Sequence, residues 1–436
     1  MGFEIDDQRR MRRKRKRHRN QVVAYFILFL LFAMLAAGVV LGVKYYTDGQ
    51  RQEQKQEEQL QSKVDEMLES EEPIQVEEST EVVPEPTWEE KLELLVDDRI
   101  AGMSLEDKVA GLFVVTPEGI TGVSTAVKAG EGTRAALEKY AVGGIVYFTK
   151  NMRTEEQLKS MIENSQLYAR YPLFMAVDEE GGSVSRIAES GLAERVDSAR
   201  VIGQTGDTGK AYQAGTTIGS YLSSFGFNLD FAPVADLDNI ANSTMAGRAY
   251  GSQAEAVSGF VTSMIQGLEE QNISACMKHF PGLGSTTQDT HDGLAVSNRT
   301  AEEFRTEEFA VFKAGIDAGV DFIMVGHMAA PSLAGDNTPS SMSSVIITDI
   351  LRTELGFSGV IITDAMNMSA ISQYYESDQA AITALKAGCD MILMPDDFEQ
   401  AYTGVLQAVR DGVISEERVN DSLRRIYRIK LAGQVE

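Results

Sequence analysis

The residues able to do chemistry are concentrated in three short segments. The densest is Lys278-His279-Phe280-Pro281-Gly282-Leu283-Gly284, followed by Asp289-Thr290-His291. Pro281 and the two glycines drive the chain out of regular structure into a loop. Asp289 and His291 lie two apart, so in an extended segment their side chains point the same way. The carboxylate could hold one imidazole nitrogen and leave the other for a substrate. Such a partner favours the charged ring and lets it deliver a proton near neutrality. An isolated Asp-x-His is also a common surface pair, and the segment alone leaves that open.

The second segment, Gly359 to Met366, is a β-branched run that ends in Asp364. A carboxylate there suits the rim of a sheet rather than its wall, although a helix N-cap fits equally well. The third is Asp178-Glu179-Glu180-Gly181-Gly182, then Arg186. Three consecutive carboxylates are costly to bury unless cations or substrate hydroxyls meet them. Arg186, Arg248 and Lys278 are available to do so, and a purely structural ion-pair network is the alternative.

Something must bring these segments together. Apolar runs at Leu112–Thr116, Gly144–Phe148, Leu173–Asp178, Asn228–Pro233, Ser274–His279, Asp321–His327, Gly359–Asp364 and Asp390–Pro395 read as strands. They lack the alternation of a sheet with one wet face, which fits a parallel sheet covered on both sides. Between them lie helical patterns. Thr154 with Gln157 and Thr300 with Glu303 have capping-box spacing, and Phe309, Phe312, Ile316 and Val320 form one stripe. Eight strands separated by crossover helices predict a (β/α)8 TIM-type barrel. A doubly wound open sheet would give no reason for Asp178, Lys278, His279, His327 and Asp364 to recur at strand C-terminal ends, where barrels build active sites.

Taken in this order, the segments resemble glycoside hydrolase family 3, in its bacterial β-N-acetylglucosaminidase branch, from about Ser104 to Lys430. The landmarks are DEEGG with Arg186, AGRAYG around Arg248, KHFPGLG, Asp289-x-His291, VGHMAAP at His327 and ITDAM around Asp364. The resemblance implies that Asp364 is the catalytic nucleophile of a retaining, covalent mechanism. It implies that His291 is the general acid/base with Asp289 as its partner, and that Asp178, Arg186, Arg248, Lys278 and His279 hold the sugar. His327 has the less definite role of structural support. Three positions depart from the family pattern: Glu179 stands where Gln is common, Ser183 where Arg is common, and Leu283 where His is frequent. They are expected to alter substrate preference or pH optimum.

The activity implied is removal of terminal β-linked N-acetylglucosamine from cell-wall glycans. A phosphorylase using the same chemistry and a non-catalytic wall-glycan sensor are the alternatives. No second domain of the kind carried by larger family members is expected.

Charge and composition bound what else is possible. A net charge of −25 excludes nucleic acid as a partner. There is no GxxxxGK[ST] loop and no GxGxxG after a strand, so no nucleotide cofactor is expected. Cys276 and Cys389 lack Cys or His neighbours at ligand spacing, so they predict buried thiols and no metal. No protein partner is identifiable. Residues 1–21 hold a basic block, Arg9 to Arg19, and Val22–Val43 is uncharged. A helix over the latter would match a hydrocarbon core of about 30 Å, and it is longer than a secretory signal. The expectation is a single-pass membrane anchor with a cytoplasmic N-terminus. An acidic, largely disordered spacer (44–87) and an extracytoplasmic barrel (88–436) would follow.

Overall fold

Runs of Val, Ile, Met and Phe without polar alternation must be covered on both faces. In the computed structural model, which describes residues 86–288, 290–291 and 293–435, they are the inner wall. The basic segment, the run Val22–Val43, the spacer up to residue 85 and Asp289 lie outside the described residues. Among the described residues, no helix is long and apolar enough to cross a membrane.

The wall consists of β1 (Phe113–Val115), β2 (Gly144–Val146), β3 (Phe174–Val177), β4 (Leu229–Asp230), β5 (Ser274–Phe280), β6 (Phe322–Val325), β7 (Val360–Thr363) and β8 (Ile392–Leu393). All eight expected strands are present and pair in parallel in the order β8-β1-β2-β3-β4-β5-β6-β7. The gap between β7 and β8 is bridged by Ile362 against Met391, where the Thr363 N–H donates to the Met391 carbonyl at 3.1 Å. The ring closes there as the expected barrel.

Helices α1 (Trp88–Ala101), α2 (Glu131–Lys139), α3 (Glu155–Tyr168), α4 (Thr208–Phe225), α5 (Ala254–Glu269), α6 (Phe309–Asp317), α7 (Ser377–Ala387), α8 (Phe398–Arg410) and α9 (Glu416–Leu431) surround it. A π-helical stretch, Val345–Glu354, makes the β6–β7 crossover.

Most strands are shorter than the apolar runs that announce them, because their last residues turn outward at the rim. β3 ends at Val177 and β7 at Thr363, so Asp178 and Asp364 are each the first residue beyond a strand. β5 is the exception and carries Lys278 and His279 within it. Its register against β6 runs from Met277 opposite Ile323 to Phe280 opposite Val325, three steps on one strand against two on the other. That bulge breaks the strict alternation of side chains, so Lys278 and His279 both reach the same cavity. The peptide joining them is cis.

The capping signals hold with one displacement. Thr300 and Glu303 form both halves of their box. Thr154 accepts the Gln157 N–H, but the Gln157 side chain accepts from Arg153 rather than from the cap residue. In the stripe, Phe309, Phe312 and Val320 are buried and Ile316 is partly covered. Both cysteines are free and buried, and burial pushes both thiols up in pKa.

Candidate active site

The rim residues of β3, β5 and β7 converge on a cavity of about 400 Å³ at the C-terminal end of the barrel. Asp178, Arg186, Arg248, Lys278, His279, His291 and Asp364 all line it.

On one side is a network of buried charges. The Lys278 ammonium, with 2% of its side chain exposed, donates to Asp178 Oδ1 and lies equally near Glu180 Oε1, 2.6 Å in each case. Arg248 donates to both oxygens of Glu180 from Nε (2.9 Å) and Nη2 (2.6 Å). Burial opposes the charge on Glu180, but Lys278 and Arg248 outweigh it and hold this carboxyl down at about 2. Burial likewise works against the Lys278 and Arg248 cations, and their carboxylate partners raise both above the ordinary values. Arg186 lies over the Phe148 ring and 3.9 Å from Asp178, and its Nε has no hydrogen-bond partner among the described residues. The network therefore offers fixed donors and acceptors to a ligand rich in hydroxyl groups.

The three consecutive carboxylates separate. Asp178 and Glu180 face the cavity. Glu179 is turned away and buried, where it accepts the Ile187 and Ala188 N–H groups (2.8 and 3.1 Å) and the Tyr221 hydroxyl (2.9 Å). Burial raises its pKa.

The histidines are held differently. His279 Nδ1 meets Asp236 Oδ2 at 2.7 Å, and its backbone N–H donates to the same oxygen. A carboxylate can only accept, so Nδ1 carries the hydrogen and Nε2 is left for the cavity. His327 Nε2 meets the Ala365 carbonyl (2.9 Å) and Nδ1 meets Ser341 Oγ (2.8 Å). The carbonyl requires a hydrogen on Nε2, and the hydroxyl can donate to Nδ1, so the ring is satisfied while neutral. Burial lowers its pKa in the same direction. His327 thus pins the peptide next to Asp364 and is no proton donor to the cavity.

Asp364 is not a helix N-cap. Its own N–H extends the ladder to Val325, and Oδ1 accepts the Ala365 N–H at 2.7 Å. Burial alone would raise this carboxyl, but His279, His327, the Ala365 N–H and Lys278 together hold it below the ordinary value. It is kept ionised and partly open to the cavity.

The rim segment carrying His291 is tied down near both ends and once beside that residue. Thr286 accepts the Thr244 N–H, Ala295 and Ser297 pair with Ala329, and the Thr290 carbonyl accepts the Ala370 N–H at 3.2 Å. The last contact joins it to the loop that follows Asp364.

The chain matches the model of the glycosyl hydrolase family 3 N-terminal domain over residues 104–429, the stretch that holds all of these positions. The chain belongs to this family. It is a glycoside hydrolase. It is similar to the β-hexosaminidase of Chromobacterium violaceum, 34% identical over 277 residues, which are 62% of this chain and 76% of that protein. It is also similar to the β-N-acetylglucosaminidase/β-glucosidase of Cellulomonas fimi, 29% identical over 341 residues, covering 76% and 58% of the two chains. Among solved structures, the family 3 β-N-acetylglucosaminidase of Paenibacillus sp. FPU-7 superposes with a TM-score of 0.72 at 33% identity, over 77% of this chain and 63% of that one. The β-N-acetylhexosaminidase of Beutenbergia cavernae gives 0.68 at 28%, over 76% and 99%.

Of the three departures from the family pattern, two lie outside the cavity. Glu179 and Ser183 do not line the cavity: the first is occupied as a cap, and the second is exposed at the tip of the hairpin formed by Glu179–Gly181 and Val184–Ser185. Leu283 does line it. Sequence reading passed over Glu180 as a site residue and missed Asp236 altogether. Glu180 had a signal, since one of three adjacent carboxylates had to meet the buried cations. Asp236 had only its place after the β4 rim, which is too weak a signal by itself.

Proposed function

We propose that the chain is a retaining exo-β-N-acetylglucosaminidase that removes terminal β-linked N-acetylglucosamine. The observation that carries this reading is one cavity lined by an ionised carboxylate (Asp364), a rim imidazole (His291) and a fixed set of cations and carboxylates. Asp364 attacks the anomeric carbon as His291 gives its proton to the departing glycosidic oxygen, which leaves a covalent glycosyl-enzyme. Water then attacks the same carbon, His291 takes a proton from it, and Asp364 departs, so the configuration is retained. Asp289 orients the imidazole. Asp178, Arg186, Arg248, Lys278 and His279 hold the hydroxyls and the acetamido group. The similarity to β-hexosaminidases supports the choice of sugar.

Asp364→Ala lowers kcat on an aryl N-acetyl-β-glucosaminide by at least about 10³-fold, as loss of a covalent nucleophile does elsewhere. Circular dichroism checks that the fold is kept. Proton NMR of the first product detects the β anomer. An α anomer at the first time point, or sugar 1-phosphate formed when inorganic phosphate is added, overturns the reading.

The further part of the proposal is placement. The basic block and the uncharged Val22–Val43 make this a single-pass anchor with the barrel outside, where cell-wall glycans are the nearest substrate. Release of the full chain from membranes by salt alone sinks that part.

A further inference from the structure

Behind the rim loops lies a polar cluster that the proposed chemistry does not use. Glu308, with 1% of its side chain exposed, sits in a π-helical turn, Phe304–Glu308, that leads into α6. Single π turns are frequent where a helix must re-aim a side chain at a functional site. Three loops of the catalytic face meet on it. From the loop after β4, which also carries Asp236 and Arg248, Asn239 Nδ2 donates to Glu307 Oε2 (2.8 Å) and Glu308 Oε1 (3.2 Å). From the loop after β5, Gly282 (φ +134°) packs so closely that a Cβ there would lie 2.5 Å from Glu308 Cγ. From the end of the segment carrying His291, Arg299 Nε lies 3.1 Å from Glu308 Oε1, and its Nη2 lies 2.7 Å from Glu307 Oε2. The cluster is not fully satisfied. The Arg299 angles fall outside hydrogen-bond geometry, and among the described residues Glu308 Oε2 and Asn239 Oδ1 have no hydrogen-bond partner.

We propose that Glu308 is a positioning residue that fixes the acid/base segment relative to the sugar-holding loops. This rests on the reading of His291 as acid/base. Among the described residues, the charged groups facing Glu308 are Arg299 and, from its own turn, Glu307, while the other two loops bring an amide and a glycine. Burial outweighs Arg299 and raises the Glu308 carboxyl to about 7. The sign follows. Any loosened arrangement that lets Glu308 reach water ionises nearer 4.5, so the brace is firmest below about 4.5, loosening is increasingly favoured as the pH rises from there through about 7, and the effect levels off above that.

The test compares wild type with Glu308→Gln, which keeps the shape and cannot ionise. Amide exchange over residues 293–300 is read at about pH 6 and pH 8, each variant against the other at equal pH so that intrinsic rates cancel. Linkage between about 7 and 4.5 makes the wild-type rate, relative to the variant, rise by up to about tenfold over that interval. A ratio unchanged with pH overturns the proposal.

A kinetic arm uses Glu308→Ala and Asn239→Ala with two N-acetyl-β-glucosaminides, one with an alkyl leaving group that needs a proton and one with a dinitrophenyl group that does not. Mispositioned acid lowers kcat/KM, which reports the first step alone, about tenfold more on the alkyl glycoside. Equal losses on both substrates mean a merely structural role and overturn the inference. If wild type hydrolyses neither substrate, the proposed function fails, while the exchange measurement still decides the brace.

Discussion

At the residue scale, the centre of the site is a buried cation. Lys278 would be costly to desolvate by itself, yet it lies between Asp178 and Glu180, with Arg248 completing the neutralisation. Lys278→Met leaves the buried Glu180 and the half-buried Asp178 short of a partner, and it should cost about 3–5 kcal/mol in urea unfolding. Glu180 gives a sharper check. Its pKa is depressed in the fold, from 4.5 to about 2, so its contribution to stability is present above 4.5 and is lost as pH falls toward 2. The stability gap between wild type and Glu180→Gln should therefore narrow by about 2 kcal/mol between roughly pH 5.5 and pH 3. A gap constant over that range removes Glu180 from the list of paired charges.

At the element scale, the bulge in β5 and the loop after β4 act together. Asp236 accepts from His279 and also from the Gly284 N–H at 3.1 Å, so one carboxylate joins the end of β5 to the loop that follows it. Gly284 is packed so tightly that an added Cβ would fall 2.0 Å from the Leu237 carbonyl, a backbone atom that cannot swing aside. Gly284→Ala is therefore expected to cost about 1–3 kcal/mol. It should also raise KM, because Asp236 must shift and His279 with it. Thermal unfolding and steady-state kinetics check both. By contrast, the Cβ clash at Gly315 is with the Met277 thioether, a side chain that can give way, and Gly315→Ala should be milder.

At the scale of the whole molecule, closure of the barrel depends on the end away from the cavity. Asp390, fully buried before β8, accepts the Ile361 N–H (2.9 Å) and the Ser422 hydroxyl (2.7 Å). It also pairs with Arg352 and, at 3.1 Å, with Arg425, while Arg418 lies 3.7 Å away. One carboxylate thus ties β7, the π-helical crossover and α9 together beside the bridge that closes the ring. Asp390→Asn leaves those guanidinium groups without their counter-charge and should cost about 3–5 kcal/mol, with KM unchanged. A loss of substrate affinity at constant stability would contradict this division between the two ends.

The sequence by itself determined the barrel and most of the site's membership. Eight apolar runs without alternation need cover on both faces, and polar residues recurring at their C-terminal ends fit the rim of a barrel better than an open sheet. That reasoning picked out Asp178, Lys278, His279, His327 and Asp364, and the motifs with the family resemblance added Arg186, Arg248 and His291; all of these but His327 line one cavity. What it could not assign was direction. Asp178, Glu179 and Glu180 are chemically alike and adjacent, and only the hairpin that follows β3 decides that the middle one turns into the protein as a cap. The adjacent Lys278 and His279 should point apart in a regular strand, and only the slip in register against β6 brings them to one side. His279 and His327 look equivalent as residues. Their separate fates, one with a nitrogen left for the cavity and one spent on a carbonyl and a hydroxyl, are set by partners 43, 38 and 14 positions away in the chain. Spacing along the chain encodes which residues reach the rim, whereas the donors and acceptors that orient them come from other strands and exist only once the barrel has closed.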